Sequence, residues 1–215
     1  MTRAETLRRA IDTLRLDAPV DTQGQLLAYV ELIAKWNQVY NLTAVRDPEA
    51  MLAQHIIDSL AVLPHLPPGA LIDVGTGAGL PGLPVAMVER QRAVTVLDSI
   101  NKKTSFIKQV IIELGLANVT VVSARAEAHR PSGGYAVVIS RAFADLATFV
   151  GVAGHLCAAG GVMVAMKGQH PHDELARLPA SCTAERVIRL DVPGLAADRH
   201  LVFLRPVSYP STSVG

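Results

Sequence analysis

The sequence predicts an α/β protein: a doubly wound, mostly parallel seven-stranded sheet carrying an N-terminal helical extension. Three observations point there. From Ala70 onward, short apolar runs alternate with segments of helical periodicity, as in successive βαβ units. Before Ala70, three helical segments follow one another without a strand and end at Pro64, Pro67, Pro68 and Gly69. Finally, Asp73-Val74-Gly75-Thr76-Gly77-Ala78-Gly79 puts a glycine-rich turn directly after the first apolar run, where a doubly wound sheet binds its ligand. The expected organisation is a helical extension over 1–69 packed on the core, an α/β domain over 70–207 and a flexible tail over 208–215.

The helices are read from spacing. Leu7, Ala10, Ile11 and Leu14 recur at helical intervals between Thr2 and about Leu16. Leu26, Leu27, Val30, Ile33 and Trp36 do so between Thr22 and Tyr40. Asp47-Pro48 is an N-cap followed by proline in the first turn, which starts a third helix reaching about Leu63. The expected strands are Ala70–Val74, Ala93–Asp98, Val119–Ser123, Tyr135–Ser140, Gly161–Lys167, Glu185–Asp191 and His200–Arg205. Between them lie helices over Leu80–Glu89, Asn101–Leu114, Ala144–Cys157 and His172–Leu178. The last two strands are separated by Pro193, Gly194 and Asp198 rather than a helix, which predicts an antiparallel pair at the sheet's C-terminal edge.

Composition narrows the functional classes. Half of the residues are hydrophobic, which excludes disorder, and no apolar run approaches the roughly 18 residues of a membrane span. The N-terminus opens as a charged amphipathic segment and not as a signal peptide, so a cytoplasmic protein is expected. Cys157 and Cys182 form no redox or zinc pattern, Cys157 falling on an apolar helix face, and no metal is expected. With a net charge of +1, a nucleic-acid partner would be held by local basic groups and not by overall charge.

The glycine loop has two readings. Gly77-Ala78-Gly79-Leu80-Pro81-Gly82 satisfies the dinucleotide pattern G-x-G-x-x-G, which would suit a nicotinamide-dependent oxidoreductase. The strand, however, ends at Val74, which makes Gly75-x-Gly77-x-Gly79 the tight turn. An acid at Asp73 also suits a sulfonium cofactor with an amino-acid tail better than a pyrophosphate. Asp98, ending the second strand, is placed to accept from ribose hydroxyls, with Ser99 capping the helix that follows. Arg125-Ala126-Glu127 follows the third strand, where an adenine pocket would lie, and Arg141 follows the fourth. Lys167 ends the fifth strand and Arg199-His200 enters the last. With Lys102 and Lys103 these groups could form a basic rim for phosphates. No Asn-Pro-Pro-Tyr or Asp-Pro-Pro-Tyr follows the fourth strand and no cysteine sits where a covalent nucleophile would. A nucleophile with its own lone pair, such as guanine N7, needs no base, so positioning and charge compensation would do the work.

Several blocks resemble the RsmG (GidB) family. They are Trp36-Asn37-Gln38-Val39-Tyr40-Asn41-Leu42-Thr43, Arg46-Asp47, His55-Ile56-Ile57-Asp58-Ser59-Leu60 and Leu71 through Gly82. Leu97 through Lys103, Ser140-Arg141-Ala142-Phe143, Lys167-Gly168 and Arg199-His200-Leu201-Val202 continue the match. The resemblance implies a class I methyltransferase fold and transfer of a methyl group from S-adenosylmethionine to guanine N7 of 16S rRNA, near the decoding centre of the small subunit. It implies cofactor contacts at Gly75, Leu80, Ala126, Glu127 and Arg141, to which the reading of the loop and strand ends adds Asp73, Gly77, Gly79 and Asp98. Arg141 and Lys167 would border the reaction centre, Lys102, Lys103, Arg199 and His200 would meet RNA, and Asn37, Asn41 and His55 would shape the mouth. The expected partner is 16S rRNA or the small subunit, bound by a monomer without membrane contact. Ser123-Ala124 departs from the family, which often has glycine before the Arg125 position. A methyltransferase of another RNA, the oxidoreductase and a non-catalytic RNA-binding assembly factor are the alternatives.

Overall fold

The computed structural model describes residues 1–207; the tail expected over 208–215 lies outside them. Helix α1 (Arg3–Leu14) starts at a reciprocal cap in which Thr2 and Glu5 satisfy each other's backbone N–H groups, and it buries Leu7, Ala10 and Ile11. Helix α2 (Val20–Tyr40) begins two residues ahead of the expected Thr22 and ends at Asn41, whose φ is 49°. Asp47 accepts from the Ala50 N–H to cap α3 (Pro48–Met51). The single α-helix expected to reach Leu63 is instead broken by a π-helical turn, Leu52–Ile57, which leads into α4 (Asp58–Leu60) and a 3-10 turn, Leu63–His65. Leu52 and every residue from His55 to Leu60 are buried, so packing on all sides sets this segment's geometry more than helical periodicity does.

The sheet has seven strands in the order β3-β2-β1-β4-β5-β7-β6. Strands β1 (Leu71–Val74), β2 (Val94–Asp98), β3 (Val119–Ser123), β4 (Tyr135–Ser140) and β5 (Cys157–Lys167) are parallel. Strand β7 (His200–Pro206) runs antiparallel between β5 and β6 (Cys182–Arg189), which confirms the expected antiparallel edge. Alternate residues of each strand face opposite cores. On one face Leu71, Val96, Ile139, Val164 and Phe203 pack with α1, α2, the π turn, α5 (Gly82–Val88) and α6 (Asn101–Leu114). On the other Ile72, Val138, Met163 and Val202 pack with Leu146, Phe149 and Ala153 of α7 (Leu146–Ala153).

Some boundaries differ from the sequence reading. Helix α7 stops at Ala153 and passes through a 3-10 turn, Gly154–Leu156, so Cys157 opens strand β5 and does not lie on a helix. The strand continues across Gly160 and Gly161, with a register shift against β4 between Tyr135 and Val137. Gly161, expected to start the strand, thus lies inside it at an irregularity. Strand β6 begins at Cys182 rather than Glu185, and α8 (His172–Ala176) is shorter than expected.

Candidate active site

The glycine loop joins β1 to α5 through a buried carboxylate. Asp73 is fully buried, and its Oδ2 accepts from Thr76 Oγ1 at 2.5 Å and from the Gly82 N–H at 2.8 Å. Burial pushes its pKa up to about 6, against the pull of those two hydrogen bonds. The loop itself thus takes one oxygen of the carboxylate expected to face the ligand, while Oδ1 is buried without a partner. Through Oδ2 the carboxylate ties the end of β1 to the start of α5 and so shapes the bed of the loop. Gly82 allows that tie, since a Cβ there would lie 2.7 Å from Val96 Cγ1 and 3.0 Å from Asp73 Oδ2. Gly75, Gly77 and Gly79 have φ of 69°, 64° and 92°, the region that glycine enters without a Cβ penalty. From α2, the buried Tyr29 hydroxyl donates to the Ala78 carbonyl, so the helical extension holds the loop directly.

The other cofactor candidates stand along the same edge in the order of the strands. Asp98, at the end of β2, accepts from the Gly77 N–H and the Ile100 N–H, both at 2.9 Å, and lies 3.7 Å from Lys103 Nζ. Asp98 therefore orders the helix start, while the exposed Ser99, expected to cap it, makes no side-chain cap; the N-cap position of α6 is Ile100. Ala126, buried, and Glu127, exposed, form a 3-10 turn after β3. Arg141 follows β4 on the far side of the loop. From β3 to β4 is three strand spacings, about 14 Å. The switch point lies between β1 and β4, where an open α/β sheet takes its ligand.

Beside Arg141 a cavity of about 290 Å³ is lined by Gln54, His55, Asp58, Arg141, Lys167 and Arg199, together with Met166 and Gly168. Asp58 is buried between two guanidinium groups: Arg199 Nε donates to its Oδ1 at 2.8 Å, and Arg141 Nη1 lies 3.5 Å from its Oδ2. Burial raises the Asp58 pKa, and both arginines oppose that rise. Lys167 Nζ is bound by Glu174 Oε2 at 2.7 Å and by the Phe143 and Ala144 carbonyls. It borders the cavity with its charge largely matched. His55 Nε2 meets Thr43 Oγ1 at 2.8 Å while its Nδ1 is buried without a partner. Burial first, then the nearby Arg141, lowers its pKa to about 4, so the ring is neutral at pH 7. Asn37 braces the loop that carries Thr43, accepting from the Thr43 N–H and donating to the Val45 carbonyl. Asn41 closes α2 and accepts from Arg46.

The four RNA candidates stand as two pairs along one edge of the sheet. Lys102 is exposed, whereas Lys103 is drawn onto Asp98. Arg199 is turned onto Asp58, and His200 is buried with Nδ1 3.1 Å from the Gly168 carbonyl. The pairs also sit apart, since β2 and β7 are separated by four strand spacings, about 19 Å. Tyr29, Thr76, Asp58 and Glu174 were missed as site residues. Asp58 had a visible signal: a lone carboxylate within the apolar run from Met51 to Leu63.

These residues fit S-adenosylmethionine. A Cβ on Gly77 would meet nothing within 4 Å, so the loop is open in front of its backbone, and Asp98 keeps acceptor capacity beyond its two amide bonds. Comparisons with known proteins agree. A family profile described as rRNA small subunit methyltransferase G (GidB) matches residues 22–202. The ribosomal RNA small subunit methyltransferase G of Nitrosospira multiformis is 51% identical over 212 residues, 95% of this chain and 98% of that protein. Its namesake in Neisseria meningitidis serogroup C (serotype 2a, strain FAM18) is 50% identical over 205 residues, 95% and 99% of the two chains. Among solved structures, a SAM dependent methyltransferase from Aquifex aeolicus has a TM-score of 0.53 at 18% identity, covering 74% of this chain and 93% of that one. TrmN from Thermus thermophilus has a TM-score of 0.54 at 18% identity, covering 72% of this chain and 48% of its own length. Both show the fold.

Proposed function

From the premise that the chain belongs to the rRNA small subunit methyltransferase G family, we propose that it methylates N7 of a guanine in 16S rRNA, in the small-subunit loop near the decoding centre. The observation that carries this reading is the match to full-length relatives, 51% identical across 95% of the chain. When bound, S-adenosylmethionine supplies a methyl group on a sulfonium, open to in-line attack. The chain's own residues then have separable tasks. Gly75, Gly77, Gly79 and Leu80 present the bed for the amino-acid end, held from below by Asp73. Asp98 takes the ribose, and Ala126 and Glu127 take the adenine. Arg141 and Lys167 border the reacting centre, where the neutral His55 adds no charge.

Guanine N7 carries a free lone pair, so no residue need remove a proton before transfer; positioning and charge compensation are the protein's contribution. The reaction so read needs no metal. Among the described residues no helix is long and apolar enough to cross a membrane, and we take the protein to act as a cytoplasmic monomer on 16S rRNA or the small subunit. The test is incubation with labelled S-adenosylmethionine and small subunits lacking the modification. Label should enter 16S rRNA at one guanine, and borohydride–aniline treatment, which cuts RNA at N7-methylated guanine, should cleave there. Absence of label from 16S rRNA overturns the reading.

A further inference from the structure

Asp58 is a buried carboxylate with no role in holding the cofactor loop, yet it joins three separate parts of the chain. It comes from the helical extension, Arg141 from the end of β4 and Arg199 from the entry to β7. Its side chain is 1% exposed, whereas the side chains of Arg141 and Arg199 are 30% and 24% exposed and line the cavity with it. A buried carboxylate is costly unless both oxygens are matched, and here each oxygen has its own guanidinium. The arginines keep donors in hand. Arg141 Nη1 serves the Gln54 carbonyl and Asp58, and Arg199 spends Nε on Asp58 and Nη1 on the Asp198 carbonyl. The Nη2 groups of both arginines make no hydrogen bond among the described residues.

We infer that Asp58 is a positioning residue that fixes Arg141 and Arg199 as a paired donor wall for the acceptor nucleotide. The inference rests on the methyltransferase reading of this site. Three formal charges give the group a net of +1, so the wall attracts the electronegative atoms of an incoming nucleotide without presenting two free cations. Arg199 is held through Nε and Arg141 through Nη1, and a guanidinium so fixed by a carboxylate loses little freedom when its outer nitrogen engages a ligand. The arrangement also gives the helical extension a part in the chemistry: without the segment that carries Asp58, neither arginine is held in place.

The test is a double-mutant cycle on the full chain, with small subunits as substrate and S-adenosylmethionine binding measured separately. Arg199→Gln should lower kcat/KM for the subunit by at least tenfold while cofactor Kd changes by less than threefold. Asp58→Asn should lower it comparably, and the double variant should be no worse than the weaker single, because both remove one unit. Multiplicative losses, or a loss of cofactor binding in Arg199→Gln matching the loss of activity, overturn the inference. Should Asp58→Asn fail to fold, Arg199→Lys decides: it keeps the charge but not the fork, so it should stay at least fivefold impaired, and full activity in it is a refutation. Wild-type protein that labels no 16S rRNA would instead sink the functional reading, a separate outcome.

Discussion

Two buried groups titrate in opposite senses over nearly the same range. Asp73 has a pKa of about 6 in the folded chain against 3.8 for an ordinary aspartate. Between those values the folded state holds a proton that the unfolded state has lost, so this group makes stability fall as pH rises from about 4 to about 6. His55 does the reverse. Its folded pKa is about 4 against 6.5, so the unfolded imidazole takes a proton the folded one refuses, and stability falls as pH drops from about 6.5 to about 4. In the wild-type chain the two slopes oppose each other. Relative to wild type, His55→Asn should tilt the stability profile downward with rising pH and Asp73→Asn should tilt it upward. Urea melts at a series of pH values between 4 and 6.5 give the check; tilts of the same sign in both variants would show the assignment to be wrong. Neither environment is visible in the sequence. Asp73 was legible as part of the loop, but the direction its carboxylate takes depends on Thr76 and on the approach of Gly82, which are facts of packing.

At the scale of elements, the glycine loop depends on a helix some fifty positions earlier in the chain. Tyr29 of α2 donates to the Ala78 carbonyl and stacks on Phe106 of α6, with ring centroids 6.4 Å apart. Tyr29→Phe keeps the ring and removes the donor, leaving a buried carbonyl unpaired at a cost of about 1–3 kcal/mol. The expected result is a lower Tm together with S-adenosylmethionine binding weakened roughly three- to tenfold, equivalent to about 0.7–1.4 kcal/mol. Isothermal titration and a thermal melt measure both, and an unchanged Kd would disconnect the helix from the loop. Periodicity revealed α2 and the alternation of strands, because those patterns are local. It did not reveal that β7 enters between β5 and β6, nor that Cys157 opens a strand, since strand order and a strand's passage over paired glycines are decided by partners distant in sequence.

Across the whole molecule, one apolar core includes Leu7, Leu26 and Ile33 from the first two helices and Leu71, Phe106 and Phe203 from the sheet and its helices. We propose that 1–69 is not an independent unit but one covering layer of the sheet. Deleting α1 and α2 would bare the apolar face formed with α5 and α6. The remaining chain should lose its cooperative melt and bind a hydrophobic dye, as an incompletely packed state does; a sharp two-state melt in the shortened protein would refute this. The family blocks flagged in the sequence map onto the same layer: Asn37 and Asn41 shape the turn that bears Thr43, and Thr43 holds His55. Their type and order were legible in advance. Which of them meets which arginine was not, because that pairing spans more than 80 positions.

The π-helical turn at Leu52–Ile57 gives the helix that carries Asp58 a place to absorb a change in length. A π turn carries one residue more than the α-helical path it replaces. Losing one residue there would let α3 and α4 merge into one regular helix with its faces kept, whereas a residue lost from regular α-helix turns everything beyond by about 100°. Asp58 would keep its facing toward the two arginines in the first case and swing off them in the second. The turn is thus the place where this helix can take up a one-residue change in length without turning the carboxylate away from its partners.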